Sequence, residues 1–291
     1  MAATGAGSTA MVGNVPLTAA AAGVNVVRRP NLYDLTTDQW DRFVKAVHTL
    51  HRRTDTDYPT QYTHFTGTRY TFASSWQNVP AYFPWHREFL RRFEAALREI
   101  DPSVNLPYWE WTADASSPQT SRALSDSMFG GFGGPNGLVT NGRFANWEFA
   151  YPNHHALTRS TSQTIDPFYS AADIETALVS SATYDSLRRW IEANASGHFL
   201  SSIGGNLGDL STMFSPNDPL YWVHTCFMDR LWAEWQARNP SLANPYNGSD
   251  NVRSSDKLLP FDVTVASTLD TRALGYDYAR FSAVIPPQTI P

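Results

Sequence analysis

The 291-residue chain has one cysteine, Cys226. No disulfide can form within it and no thiolate cluster can hold a metal, so a strong metal site has to be built from histidine and carboxylates. Charge is also scarce: 17% of residues are charged, 22 basic against 27 acidic, for a net charge of -5. The arginines include isolated pairs (Arg28-Arg29, Arg52-Arg53, Arg91-Arg92, Arg188-Arg189), and no basic block tracks a phosphate backbone, which argues against a nucleic-acid partner. No uninterrupted apolar run approaches the roughly 18 residues of a membrane helix, so no membrane span is expected. The Ala/Gly/Thr-rich start, Met1 to Ala22, lacks the basic flank of a signal peptide. It reads as a loose arm over residues 1–25 ahead of one domain over 26–291. The expected location is cytoplasmic, or secreted with help from another protein.

What the chain has in quantity is aromatic: 10 Trp, 13 Tyr and 16 Phe, enough apolar area for a substantial core. Thr36 followed by Gln39 predicts a capping box that opens a helix through about Arg53, with Trp40, Phe43, Val44, Val47 and Leu50 on its inner stripe. Tyr58 to Phe65 reads as a shorter helix, and Gly67 to Val79 as loop. Pro84 suits a first turn and Asp101-Pro102 a stop, so a helix is predicted over Trp85 to Ile100. His86, Leu90, Phe93, Leu97 and Ile100 share its inward face, leaving Arg87, Arg91, Arg92 and Glu99 more access to solvent.

The stretch after Thr112 is rich in Gly, Pro, Ser and Asn, and its aromatics Phe132, Phe144, Trp147 and Phe149 are expected to fold back over a cavity. Asp173 to Ser180 and Tyr184 to His198 are the next helical segments. In the second, Leu187, Ile191, Asn194 and His198 lie on one face. Ser215-Pro216-Asn217-Asp218-Pro219 then caps a helix over Leu220 to Arg238. That helix carries two neighbouring stripes, one with His224 and Phe227, the other with Tyr221, Thr225 and Asp229.

Four segments together resemble the tyrosinase/hemocyanin family. They are Tyr82-Phe83-Pro84-Trp85-His86-Arg87-Glu88-Phe89-Leu90, Leu106-Pro107-Tyr108-Trp109-Glu110-Trp111, Ser215-Pro216-Asn217-Asp218-Pro219 and Asp229-Arg230-Leu231-Trp232-Ala233-Glu234-Trp235-Gln236. The match runs from about Val26 to Tyr278, with the middle loop poorly matched. The resemblance implies a mainly α fold, with a four-helix-bundle core of the tyrosinase type, long loops and minor β structure. It also implies a type 3 centre, normally two coppers with three histidines each, and in many members oxidation of phenols or catechols. On this resemblance His64 and His86 match the outer ligand positions of the first half-site, and His198 the middle position of the second. Three positions depart from the pattern: Gln77, nine residues before His86; Asn194, four before His198; and Thr225, where the family commonly has the second histidine of a pair that here begins with His224.

Three imidazoles cannot supply both metals of such a centre. The expectation is one divalent metal held by His64, His86 and His198, with zinc favoured and copper the alternative. Asp229, one turn after Thr225, would orient a metal-bound water, while Asn194 and Gln77 would hydrogen-bond an aromatic small-molecule substrate. Thr225 and His224 would be altered ligands or would support the ligands from behind. The expected reaction is nonredox: addition, elimination, ring opening or hydrolysis. The alternatives are a copper-dependent phenol or catechol oxidase, and a noncatalytic binding protein with a degenerate pocket. His154-His155 is expected on a solvent-facing turn, His48 and His51 on the surface, and Cys226 in inert packing. Asn247-Gly248-Ser249 fits the sugar-acceptor pattern, which matters only after secretion.

Overall fold

A computed structural model describes residues 26–162, 164–240, 246 and 252–279. The expected arm over 1–25 and the Asn247 acceptor pattern lie outside the described residues. Helix α1 (Thr37–Arg52) starts on the anticipated capping box: the Thr36 hydroxyl accepts from the Gln39 N–H at 3.2 Å, and the Gln39 side chain accepts from the Thr36 N–H at 2.9 Å. Helix α2 spans Gln61–Thr71, past the Phe65 end and into the segment expected to be loop. A second capping box, Thr60 with Thr63, starts it. Gly67 does not break it because glycine is what the site requires: a Cβ there would lie 2.0 Å from a ring carbon of Tyr58.

Helix α3 (Tyr82–Ile100) carries the expected inward face. It is followed by α4 (Ala171–Ser180), α5 (Tyr184–Trp190), a π-helical turn over Ile191–Ser196, and α6 (Gly197–Gly204). Helix α7 (Leu220–Arg238) is buried on every side over most of its length, which explains why its sequence shows two stripes instead of one. Helices α1, α2, α3 and α7 pack as a four-helix bundle with long loops around it.

Strands are few and short. β1 (Val27–Arg29) pairs in parallel with β6 (Tyr276–Tyr278), β2 (Glu148–Phe149) with β3 (His155–Ala156), and β4 (Lys257–Leu258) with β5 (Val263–Thr264). The long middle loop packs Phe144, Trp147 and Phe149 into the core against α1. His48 and His51, expected on the surface, are half-buried beneath it. Their Nε2 atoms bond the Arg143 and Glu148 carbonyls at 2.8 and 2.9 Å, docking the loop on the helix end.

Two further expectations are corrected at the heart of the bundle. Arg87 is fully buried, and its Nε donates to Asp229 Oδ1 at 2.6 Å. Asp229 Oδ2 accepts from Tyr276 and Tyr278 at 2.7 and 2.8 Å and faces Arg29 Nη1 at 3.5 Å. Arg29 also holds Glu94. Burial alone would push the Asp229 carboxyl up, but Arg87 and Arg29, with the Tyr276 bond, outweigh it and hold it below the usual carboxylate range. Its acceptor capacity is spent on protein donors, so Asp229 orients no catalytic water; it ties α3, α7, β1 and β6 together. Asp229→Asn strips two buried guanidiniums of a counter-charge and is expected to lower unfolding free energy by about 3–5 kcal/mol. Urea unfolding checks this, and a variant as stable as the parent would refute the tie.

Candidate functional site

His86 sits one turn into α3 with its Nδ1 2.8 Å from the Tyr82 carbonyl. A carbonyl only accepts, so Nδ1 carries the proton and Nε2 is left as a bare acceptor. The ring packs against Trp76, Tyr82 and Trp85. Burial, and then the nearby Arg69 cation, push its pKa down to about 3. His64, on α2, is half-buried and shares a 2.8 Å hydrogen bond between its Nδ1 and the Thr56 hydroxyl. His198 turns elsewhere. Its Nε2 donates to the Pro167 carbonyl at 3.0 Å, and the side chain lines an outer cleft with Phe168, Tyr169 and Asp173.

The π turn accounts for the position of His198. It adds about one residue to the turn and rotates everything after it by roughly 100°. The face that joined Asn194 to His198 in a regular helix is thereby broken. Asn194 donates from Nδ2 to the Trp190 carbonyl at 3.0 Å, and Gln77 is exposed, so neither is positioned to hold a substrate beside His86. Thr225 is buried next to Tyr221 on α7. Among the described residues no group of three or more His, Cys, Asp or Glu could hold a metal ion, and His64, His86 and His198 do not converge into one.

His224 is fully buried and committed on both nitrogens. The Trp111 indole can only donate, and it reaches Nδ1 at 3.2 Å; Nε2 is therefore the protonated nitrogen and donates to the Ser196 hydroxyl at 3.0 Å. Phe199 stacks on the ring at 4.0 Å. His155, expected to face solvent, is half-buried and bonds Asp209 at 2.7 Å through Nε2. Cys226 is buried, and burial pushes its thiol up to about 12, in keeping with inert packing.

Sequence reasoning missed Arg69. It lies in the last turns of α2, beyond the point where that helix was expected to stop. The guanidinium covers the Trp76 ring at 4.3 Å and the Tyr221 ring at 5.2 Å, and its Nη1 donates to the Met213 carbonyl at 2.8 Å. It sits between His86 and the Tyr221–Thr225 face of α7, two positions that the family pattern assigns to metal ligands. The residues around it keep a trace of accessibility: 6% for Arg69, Tyr82 and Ser196, 5% for Thr225 and 4% for His86, against 0% for Trp85, Phe89 and Trp222 just behind. These residues gather about His86 and Arg69 and are all but closed to solvent. The signal that would have found Arg69 is the Thr60–Thr63 capping box, which starts α2 later and carries it on to Thr71.

The depressed pKa values of His86 and His224, both about 3, keep these rings neutral in the folded protein through mildly acidic pH. The unfolded chain takes up protons below about pH 6.5, so their contribution to stability is present above that pH and is lost as pH falls toward 3. At pH 4.5 the loss is expected to be roughly 2–3 kcal/mol per ring. Histidine ring NMR signals for the two should stay flat from pH 7.5 to 5.0; a midpoint near 6.5 would show them solvated.

Residues 37–238 match the family model described as the common central domain of tyrosinase. The chain is 34% identical over 275 residues to a tyrosinase of Streptomyces antibioticus, covering 86% of this chain and 98% of that one. To a tyrosinase of Streptomyces glaucescens it is 35% identical over 270 residues, covering 84% and 96%. A polyphenol oxidase from Thermothelomyces thermophila (mutant G292N) shares the fold at a TM-score of 0.71 and 21% identity, covering 88% of this chain and 89% of that one. An octopus hemocyanin functional unit does so at 0.64 and 19%, covering 88% and 68%. These relatives are type 3 copper proteins, and together with the dispersed imidazoles they overturn the expectation of a single zinc. No described helix is long and apolar enough to cross a membrane. From α1 to the end of α7, and by likeness to whole Streptomyces enzymes, this chain belongs to the tyrosinase family.

Proposed function

We propose that the chain acts on phenolic small molecules at the region of His86 and that oxidation is the reaction class it serves. One observation carries this reading: the similarity to tyrosinases extends over nearly their whole length, not over a shared core alone. One of the chain's own residues there suits a phenol. His86, neutral and with Nε2 free of a proton, accepts a hydrogen bond from a phenol O–H without competing for the proton.

Copper would supply the oxygen chemistry in this family, but the residues fit a copper pair poorly. Gln77, Asn194 and Thr225 replace imidazoles with weaker oxygen donors, and the Arg69 cation beside His86 opposes a second cation there. A second reading, binding of an aromatic compound without turnover, is favoured by that arginine. The two separate in one experiment: dialyse the protein against copper, measure bound metal, then follow oxygen uptake with a catechol. Retained copper with uptake that falls to background in His86→Ala is the outcome expected for an oxidase. Catechol binding without oxygen uptake would replace it with the second reading, and no binding of any phenol would remove both.

A further inference from the structure

Strands β2 and β3 pair over two residues each, too few for their ladder alone to hold the hairpin tip, residues 150–154, in place. Side chains from the turns before α7 hold it. Asn217 Nδ2 donates to the Tyr151 carbonyl at 3.1 Å and to Asp209 Oδ2 at 2.7 Å. The same Asp209 oxygen lies 2.7 Å from His155 Nε2, while His155 Nδ1 lies 2.8 Å from the Asn153 carbonyl of the tip. A carbonyl and a carboxylate only accept, so both contacts are hydrogen bonds when the ring carries two protons. His155 is therefore an imidazolium in this arrangement, paired with Asp209. The Asp209 bond, against the smaller opposing effect of burial, raises its pKa above the ordinary 6.5. The other titratable groups around the pair are few. His154 and Glu148 face each other in solvent at 3.4 Å, and His51 of α1 shares the Phe149 ring with His155. Tyr62 of α2 faces Asp209 and is kept neutral by burial. Among the described residues no lysine or arginine forms an ion pair with Asp209.

The tip covers a histidine. Tyr151 sets its ring edge-on against Tyr58 at 5.2 Å, and Tyr58 lies against His64 at 5.0 Å. We infer that the tip is a lid over Tyr58 and His64, latched by the His155–Asp209 ion pair while His155 is an imidazolium and released when the ring becomes neutral. A neutral ring has one N–H for two acceptors, so one contact turns into lone pair against lone pair, either at the Asn153 carbonyl or at the carboxylate. The base of the hairpin stays put, because Phe149 is buried in the core and the Leu157 N–H bonds the Trp147 carbonyl at 2.7 Å. A raised pKa makes the latch fully present below pH 6.5 and lost as pH rises through the raised value. The lid governs access to His64 whether the chain oxidises phenols or only binds them.

Hydrogen–deuterium exchange of peptides covering residues 150–156, compared between wild type and His155→Gln at the same pH, tests the latch. At pH 6.0 the tip should exchange roughly 10-fold faster in the variant, the margin of a charged over a neutral hydrogen bond. At pH 9.0 the two should coincide. Equal exchange at pH 6.0, or a difference that persists unchanged at pH 9.0, would overturn the latch, as would a His155 ring NMR midpoint at or below 6.5. Carbethoxylation of His64 by diethylpyrocarbonate at pH 6.0 should be faster in the variant than in wild type; equal rates would overturn the lid. If His155→Gln does not fold, the wild type decides. Its tip exchange should accelerate between pH 6.0 and 9.0 by more than that of an unstructured reference peptide, and an equal acceleration would overturn the release.

Discussion

A carboxylate with nothing but protein around it has to find positive charge, and Asp229 finds it in two arginines that come from separate elements. Arg87 belongs to the helix beside it and Arg29 to a strand some 200 residues away, while the Tyr276 and Tyr278 phenols arrive from the last described strand. The parallel β1–β6 ribbon has only three residues on each strand and could not hold the chain ends by its ladder alone. The charge cluster makes it persist. Breaking any one bond leaves another charge buried, so the cluster stands or falls as a unit. Helices α3 and α7 therefore cannot slide against each other without separating Arg87 from Asp229.

Much of the bundle was legible in the sequence because its signals are local. The Thr36–Gln39 box, the Pro84 start and the Asp101-Pro102 stop each act through neighbouring backbone atoms. The rest depended on contacts that sequence spacing does not carry. Gly67 looks like a breaker until Tyr58 is seen lying across it. Asn194 and His198 share a face only in a regular helix, and the π turn between α5 and α6 removes that condition. Arg87 reads as solvated because most arginines are, and Arg69 carries no signal of its own; only the fold shows one locked to Asp229 and the other lying against Trp76. The family itself was legible from motifs, whereas the zinc expectation assumed that retained histidines keep a shared purpose.

The histidines here are tied to protein groups instead. Those at 48, 51, 86 and 198 bond backbone carbonyls, His64 bonds Thr56, His155 bonds Asp209, and His224 bridges Trp111 and Ser196. Imidazole serves such roles well because one ring offers a donor, an acceptor and a flat face for stacking. The three rings that match ligand positions in the family pattern thus each also have a role in holding the fold.

The all-round burial of α7 has a bearing on how this chain is made. A helix without a solvent side cannot be stable until its surroundings exist, and those surroundings have no floor until it arrives. During synthesis everything up to Pro219 emerges first, presenting a trough lined by Phe83, Phe89, Phe93 and Trp111 that only the later Leu220–Arg238 segment can fill. Until then the nascent protein displays sticky aromatic surface, and its solubility in that interval belongs to the ribosome and chaperones as much as to its own sequence.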